Sequence, residues 1–298
     1  MKSNTAKAVF CAVLGNIIWG FGFLFTRVAL KCAPDPNVML AHRFILPTLI
    51  MLIPILLGKQ KISFKGKKWG PVVLLLLTQL GYYLFESYGV LYTNATIASL
   101  VLAVVPVVTI VTGVFFLKEY PTKKQILFCI MPVVGVILIT VCGKELGVVT
   151  PLGIVFLVLT MLSSAFYKTV NRTTSAQFTT YERTFLVLAI SAIAFGISGM
   201  SVVKWDVAAF VAPFLEWKYA VSVLSLSLLS SIAANMLVNY ALAHMSLFKV
   251  SSMGALSTLC SAVAGIVFLK EPFNESLILG GALILVGVYL LTAKGAKK

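Results

Sequence analysis

The tetrapeptide FLKE occurs twice in the chain, as Phe116-Leu117-Lys118-Glu119 and again as Phe268-Leu269-Lys270-Glu271. Each copy stands at the end of a long apolar stretch. The copies lie 152 residues apart in a chain of 298 residues, which is close to half its length. Two halves that end an apolar stretch with the same apolar-then-charged tetrapeptide indicate an internal repeat, and this repeat decides the fold.

The composition indicates a helical membrane protein. Hydrophobic residues make up 60% of the chain, charged residues 11%, and the mean hydropathy is +1.02, whereas a soluble domain carries about 25% charged residues. Segments this apolar are typical of spanning helices rather than of barrel strands. Ten segments are each near the roughly 20 residues that a helix needs to cross the hydrocarbon core: 8–30, 38–57, 71–91, 96–117, 125–142, 151–170, 185–203, 219–243, 248–269 and 276–292.

The charge distribution predicts the topology. The formal net charge is +15, and most Lys and Arg residues fall in the connections on the same side as the N-terminus, so the positive-inside rule predicts both termini in the cytoplasm. The same residues attract anionic membrane lipids, and no nucleic acid partner is needed to explain them. The first apolar run is long and lacks a small-residue cleavage site, so we expect a retained helix rather than a signal peptide. The five cysteines show no metal-ligand spacing; we expect small buried side chains, and predict no metal and no cofactor.

The repeat extends beyond the tetrapeptide. With an offset of 152 residues, Tyr88 to Thr140 match the second half without gaps, and Tyr88 falls on Tyr240 and Gly113 on Gly265. Each repeat, residues 1–145 and 146–298, holds five predicted spans, so the second enters the membrane inverted. Inverted repeats are typical of transporters that work by alternating access; the alternative is a duplication without such motion, as in some channels. We expect the Lys-Glu pair itself to be structural, with a snorkelling lysine and a hydrated glutamate.

With these features the sequence resembles the EamA type of the drug/metabolite transporter superfamily. The resemblance covers essentially the whole chain and is carried by Trp19-Gly20, Arg43-Phe44, Leu91-Tyr92-Thr93-Asn94-Ala95, Pro106 and the Leu-Lys-Glu end of each half. It implies an inverted repeat of five plus five helices, with a central cavity lined by helices 1, 3, 4, 6, 8 and 9. It also implies transport of small metabolites, among which amino acids and aromatic compounds are common. Thr258 stands where the first half has Pro106, so we expect no counterpart in helix 9 to a proline kink in helix 4.

Glu86 is the one acidic residue well inside a predicted span. An ionisable group there costs about 2.5–3.5 kcal/mol on insertion scales and suggests a functional site. Helical spacing places Gln79, Tyr82, Tyr83 and Glu86 on one face. Glu86 could carry a coupling proton or bind a substrate amine; the alternative is a carboxyl group that only joins helices.

Further candidate residues for substrate binding lie on other spans. In helix 8 Asn235 and Asn239 offer donors and acceptors, and by the repeat they correspond to Tyr83 and Ser87; helix contacts are the alternative role. Asn16 and Trp19 lie near the middle of helix 1, where a tryptophan would suit an aromatic or cationic solute, although core packing is the alternative. The remaining candidates are Tyr167 in helix 6 and Ser99, on the small-residue face of helix 4.

Lys168 lies toward the predicted cytoplasmic end of helix 6. We expect it to snorkel to the interface, with carboxylate binding as the alternative. Helices 4 and 9 are rich in small residues that let helices approach closely: Ser99, Ala103 and Gly113, then Ser251, Gly254, Ala255, Ser261 and Gly265.

Other classes of protein fit the sequence less well. A membrane enzyme would need a nucleophile with a base or a set of metal ligands, but His42 and His244 are predicted on opposite sides of the membrane, and no catalytic motif is present. A passive channel would favour repeated polar rings, whereas Val238 stands at the position of Glu86 in the second half. A sensor or a lipid-handling protein that uses a transporter fold stays an alternative. We predict a non-enzymatic transporter of amino acids or related compounds in the plasma membrane of a bacterium, with export favoured.

Overall fold

The computed structural model describes residues 2–33, 35–63, 65–92, 101–102, 104–141, 150–269 and 275–293, and every regular element in them is helical. The first half contains α1 (Lys2–Cys32), α2 (Pro36–Leu56), α3 (Trp69–Tyr92), α4 (Val105–Thr112, continued by a π-helical turn, Gly113–Leu117) and α5 (Lys123–Val141). The second half contains α6 (Pro151–Thr174), α7 (Thr180–Val202), α8 (Trp217–His244), α9 (Leu247–Met253 and Ala255–Leu269) and α10 (Ser276–Ala293). A short helix, Val207–Val211, and a 3-10 turn, Ala212–Leu215, connect α7 to α8.

The helices fall on the predicted apolar segments, and the longest of them fit a bilayer. Among the residues that the structure describes, five helices are long and apolar enough to cross a membrane: Thr5–Cys32, Pro36–Leu56, Pro151–Thr174, Thr180–Val202 and Trp217–His244. Large apolar side chains such as Leu56, Phe115 and Leu279 are mostly exposed on the outside of the bundle. The chain is therefore a multi-pass membrane protein, whereas the count of ten spans and the cytoplasmic termini stay predictions.

Local sequence explains where several helices begin. Asp35 caps α2 by accepting a hydrogen bond from the Asn37 N–H at 2.7 Å, with Pro36 in the first helical position. Thr150 caps α6, again followed by a proline. At α7, Thr179 and Glu182 form a capping box. These residues satisfy backbone N–H groups that the first turn of a helix leaves without partners.

Most helices pack along one or two main neighbours, chiefly from the other half of the chain. Helix α3 packs along α6, α2 along α7, and α5 along α10; α1 packs between α8 and α9, and α4 also contacts α6. Glycines allow the closest approaches. A Cβ atom added to Gly20 would lie 2.5 Å from the Cβ of Cys260, and one added to Gly135 would lie 2.5 Å from the Gly280 carbonyl oxygen. Gly20 of α1 therefore packs closely against Ser257 and Cys260 of α9.

Helices α4 and α9 are both interrupted. In α4 the Val104 N–H bonds to the Val101 carbonyl at 3.2 Å, three residues back, just before Pro106. In α9 the Gly254 N–H bonds to the Ser251 carbonyl at 3.0 Å in the same pattern. Because this turn in α9 involves no proline and no kink is measured in either helix, the expectation that helix 9 lacks a counterpart to a proline kink in helix 4 stays a prediction.

Helix α8 contains a π-helical segment, Leu226–Ala234. A π-helix carries an extra residue in each turn, and such segments are frequent at functional sites. The widened turn offers its backbone carbonyls to side chains of other helices: Trp19 Nε1 donates to the Ser230 carbonyl at 3.3 Å. Trp19 is thus placed on α1 against the middle of α8.

Candidate functional site

The predicted polar face of α3 points into the helix bundle. Gln79 and Tyr83 are 6% and 4% exposed. The Tyr82 hydroxyl donates a hydrogen bond to Glu86 Oε1 at 2.7 Å. The Glu86 carboxyl group is therefore held by the tyrosine one turn earlier on the same face.

Arg43 on α2 faces this carboxyl group. Its guanidinium carbon lies 5.5 Å from the centroid of the Tyr83 ring, and its Nη2 lies 3.4 Å from Ser230 Oγ. Its positive charge lies in the same polar region as the Glu86 carboxyl group and the Tyr82 hydroxyl. The two opposite charges offset part of the unfavourable energy of placing either in a bilayer.

Sequence reasoning missed the role of Arg43. It used Arg43-Phe44 only as part of the family resemblance, but α2 already begins at Pro36, so Arg43 lies roughly 10 Å into the helix at 1.5 Å per residue. The signal was available, since Arg43 lies inside the predicted span 38–57 and satisfies the same criterion that singled out Glu86.

Asn235 on α8 joins this group from the other half of the chain. Its Nδ2 donates to the Ser231 carbonyl at 3.0 Å, within the π-helical segment, and its side chain is a polar neighbour of the Tyr83 hydroxyl, as is Gln79. We call the assembly the central polar cluster; it comprises Arg43, Gln79, Tyr82, Tyr83, Glu86 and Asn235. It combines one acid, one base, two phenols and two amides, which can bind both ends of a zwitterion.

Asn239, also predicted as a binding residue, uses its amide on protein partners. Its Oδ1 accepts from the Tyr167 hydroxyl at 3.2 Å and from Asn171 Nδ2 at 2.8 Å. Its Nδ2 donates to Thr184 Oγ1 at 2.9 Å. Tyr167 and Asn239 thus join α6, α7 and α8. For Asn239 this is the helix-contact role that the sequence analysis gave as the alternative to substrate binding.

A buried arginine completes this junction. Arg183, which is 1% exposed, donates to the carbonyls of Asn171 and Asn239 at 3.0 and 3.1 Å and also contacts the Asn171 side-chain oxygen. The sequence analysis did not single out Arg183. A span predicted to begin at residue 185 could not show that α7 starts at Thr180 and carries this residue inward.

Lys168 on α6 does not snorkel as predicted. A Cβ atom added to Gly254 would lie 3.9 Å from Lys168 Nζ and 3.9 Å from Asn16 Oδ1. Asn16 is buried near the middle of α1, roughly 20 Å from either end. The Lys168 amine therefore lies inside the bundle beside the break in α9, because α6 turns this face toward α1 and α9 rather than toward lipid.

The first FLKE copy forms a corner. After the π-helical turn, Lys118 takes the left-handed conformation with φ of 53°. Glu119 is then turned inward, where it accepts from Arg172 Nε at 3.3 Å and from the Leu247 N–H at 2.9 Å. The carboxylate caps the start of α9 and pairs with the end of α6, which agrees with the expected structural role, and 22% of its side chain is exposed.

The two histidines contact opposite ends of α8. His42 Nδ1 lies 2.7 Å from the Tyr219 hydroxyl near the start of the helix, and His244 is its last residue; at 1.5 Å per residue the two ends are roughly 35 Å apart. Within the described ranges no group of His, Cys, Asp and Glu could hold a metal ion. Ser99, the remaining candidate, lies outside the described residues, as do Thr93-Asn94-Ala95 of the motif, Cys142, and Lys270 and Glu271.

Comparisons with known proteins agree over nearly the whole chain. The model of the EamA-like transporter family matches residues 6–141 and again residues 151–293. A Bacillus subtilis protein named "uncharacterized transporter YcxC" is 31% identical over 294 residues, covering 97% of this chain and 93% of that protein. Another from the same organism, "uncharacterized transporter YvbV", is 26% identical, covering 98% of this chain and 93% of that protein. A solved structure titled only "crystal structure of protein" has a TM-score of 0.78 at 15% identity, covering 96% of this chain and 98% of its own; it shares the fold.

Proposed function

Since the chain belongs to the EamA-like transporter family, and with it to the drug/metabolite transporter superfamily, we propose that it is a secondary transporter of small metabolites working by alternating access. The transported compounds are amino acids or related molecules, aromatic ones among them, and the direction is export across the plasma membrane of a bacterium. The observation that carries the proposal is the central polar cluster, a set of ionisable and amide groups buried between helices of both halves.

The helix pairs support a pair of inverted repeats, residues 1–145 and 146–298. If α1 to α5 are exchanged with α6 to α10 in order, the α3–α6 pair becomes α8–α1, and α4–α6 becomes α9–α1. The α2–α7 and α5–α10 pairs are exchanged with themselves. All these pairs are present, as expected for two related halves around one axis. Such an arrangement allows a site on the axis to face each side of the membrane in turn.

The chemistry of the central polar cluster supports an amine-bearing substrate. Glu86 is held by Tyr82 and faces Arg43, so a substrate amine could replace Arg43 as the partner of the carboxylate. A proton could serve in place of the amine, in which case Glu86 couples transport to the proton gradient. The rings of Tyr83 and Phe44, 4.6 Å apart, provide an apolar and aromatic surface beside the charges.

The proposal is tested with purified protein in liposomes loaded with a defined mixture of amino acids, with efflux followed by mass spectrometry. We expect selective loss of a few compounds with wild-type protein. In Glu86→Gln the flux should fall about tenfold or more, because a charge-assisted hydrogen bond is worth roughly 1.5–3 kcal/mol. Glu216→Gln is the matched control, since Glu216 is exposed at the start of α8 and makes no capping bond.

An imposed pH gradient separates the two roles of Glu86. If the gradient drives flux in the wild type but not in Glu86→Gln, Glu86 couples proton movement to transport. Gradient-independent flux that is lost in the variant indicates direct binding of the substrate. Equal flux in both proteins would make Glu86 structural, and no flux of any compound would contradict the transporter proposal.

A further inference from the structure

We propose that Lys168, together with Asn16 and the break in α9, forms a subsite that binds the carboxylate of the transported metabolite. This inference rests on the proposed transport function and adds a second, anion-binding site to the central polar cluster. It concerns the region where α1, α6 and α9 meet, and it assigns a role to a lysine that was expected at the membrane surface.

The first step is the position of the amine. Lys168 Nζ and Asn16 Oδ1 both lie 3.9 Å from the place where a Cβ atom of residue 254 would stand. Gly254 leaves that place empty, so the amine and the amide face the same small space next to the chain. Because Asn16 is near the middle of α1, this space is at mid-membrane depth rather than at the interface.

The second step is the missing counter-charge. Two other cations of the bundle have acidic partners: Arg172 on α6 pairs with Glu119 at 3.3 Å, and Lys67, just before α3, pairs with Glu182 at 2.7 Å. Among the described residues, Lys168 forms no ion pair with an acidic side chain. An ammonium group in a bilayer is costly without a partner, so a bound anion fits the place of a counter-ion.

The third step is the chemistry around the amine. Asn16 Nδ2 donates to the Ala12 carbonyl at 2.7 Å, and an amide carries a second N–H that this bond does not use. The longer part of α9, Ala255–Leu269, starts directly after Gly254, and the start of a helix favours negative charge. Ser251, in the same turn, has a buried hydroxyl without a partner. The Lys168 ammonium group, the start of this helix and the Ser251 hydroxyl suit an anion, whereas Asn16 Oδ1 is an acceptor and suits the ammonium group.

The class of anion follows from the charge. A single ammonium group and neutral donors balance one negative charge, which suits a carboxylate better than a doubly charged phosphate. With Glu86 available for an amine, a molecule bearing both groups would satisfy both sites. The geometry thus points to an amino acid or a related amino carboxylate.

Binding is measured first, so that it does not depend on flux. Purified wild-type protein in detergent is heated with L-phenylalanine, L-leucine or L-threonine, each compared with its amide and its decarboxylated amine. We expect at least one acid to raise the melting temperature and its amide and amine to do so about tenfold less effectively. This comparison needs no variant. Stabilisation by the amides equal to that by the acids, or by none of the acids, would overturn the inference.

Variants then locate the effect. Lys168→Met keeps the length of the side chain without its charge and should weaken binding of the acid about tenfold or more, while Lys168→Arg should retain part of it. Lys218→Met is the control, because Lys218 is an exposed cation at the start of α8. A folded Lys168→Met protein that binds the acid like the wild type would contradict the subsite.

Liposome flux of the same compounds separates this inference from the proposed function. Selective binding of the acids without flux would support the subsite and contradict transport. Flux with no preference for the acid over its amide, unchanged in Lys168→Met, would support transport and contradict the subsite.

Discussion

The two copies of the FLKE tetrapeptide can be compared through the contacts of their phenylalanine side chains. At the first, Phe116 on the π-helical turn after α4 packs edge to face on Phe166 of α6, with ring centroids 5.9 Å apart. At the second, Phe268 on α9 packs in the same manner on Phe21 of α1, at 6.4 Å. Both phenylalanines contact the first helix of the other half.

At the first copy the glutamate of the tetrapeptide adds an ion pair to this contact. Glu119 bonds to Arg172 and caps α9, whereas Glu271 lies outside the described residues. Phe166 follows Phe21 by 145 residues, and the same offset relates Arg172 to Arg27. The comparison teaches that the tetrapeptide marks a contact between helices of opposite halves, and it makes Arg27 and Glu271 the sequence counterparts of the observed ion pair.

The largest effect should come from reversing one charge at the first corner. Arg172→Glu places a second carboxylate against Glu119 and removes the bond to the Ala243 carbonyl, 2.8 Å from Arg172 Nη1. We expect a loss of about 2 kcal/mol in stability, discounted because both side chains are partly exposed. Thermal unfolding in detergent measures this loss, and the double variant with Glu119→Arg should recover part of it. No recovery would mean that the two residues are not coupled.

The same exchange at the sequence counterparts sharpens the comparison. We expect Arg27→Glu to destabilise the protein by about 1–2 kcal/mol and Glu271→Arg to restore part of that stability. Lys31→Glu, at the end of α1, is the control for a charge change alone. If the double variant is no more stable than the sum of the single changes predicts, the two halves differ in this contact.

Removing either aromatic anchor should have a smaller and nearly equal effect. Phe116→Ala and Phe268→Ala each lose one edge-to-face contact, worth about 0.5–1.5 kcal/mol beyond burial, and both rings are largely exposed on the lipid side. Melting temperatures of the two variants, with Phe115→Ala as a control for an exposed neighbour, test this. A large difference between the two would break the symmetry of the comparison.

The smallest effect is expected at Lys118. Its φ of 53° is a conformation that costs a non-glycine residue about 1 kcal/mol, so Lys118→Gly should be neutral or should stabilise the protein by up to about 1 kcal/mol, while Lys118→Ala should not. The difference in melting temperature between the two variants isolates the backbone. Equal melting temperatures would show that the left-handed turn carries no strain.

Much of the fold was predictable, because apolar segments of spanning length determine helices almost alone. The predicted segment 219–243 became α8, Trp217–His244, and the segment 151–170 became α6, Pro151–Thr174. The break in α9 was not predictable from the absence of proline at Thr258. It arises at Gly254, where one residue lets α9 approach the groups of α1 and α6, and that approach is a tertiary property.

The candidate site was predictable in part. The polar face of α3 and the hydrogen bond from Tyr82 to Glu86 follow from helical spacing within one segment. Arg43 could have been singled out because it lies inside a predicted span, but the direction of its side chain and those of Lys168 and Arg183 could not be predicted, since a basic residue toward the end of a span can snorkel outward or turn inward. Only the packing of α2, α6 and α7 against their neighbours decides which of the two occurs.

The widened segment of α8 has a mechanical consequence. Leu226–Ala234 contains an extra residue compared with an ordinary helix, and one residue corresponds to about 100° of rotation. If this segment became an ordinary α-helix and the extra residue moved to another turn, Trp217–Ser225 would rotate by that angle relative to Asn235–His244. The tryptophan of α1 and the guanidinium of α2 both hold this segment at Ser230. Helix α8 thus contains, at its centre, a segment about which its two ends can rotate, and Trp19 of α1 and Arg43 of α2 hold this segment in place.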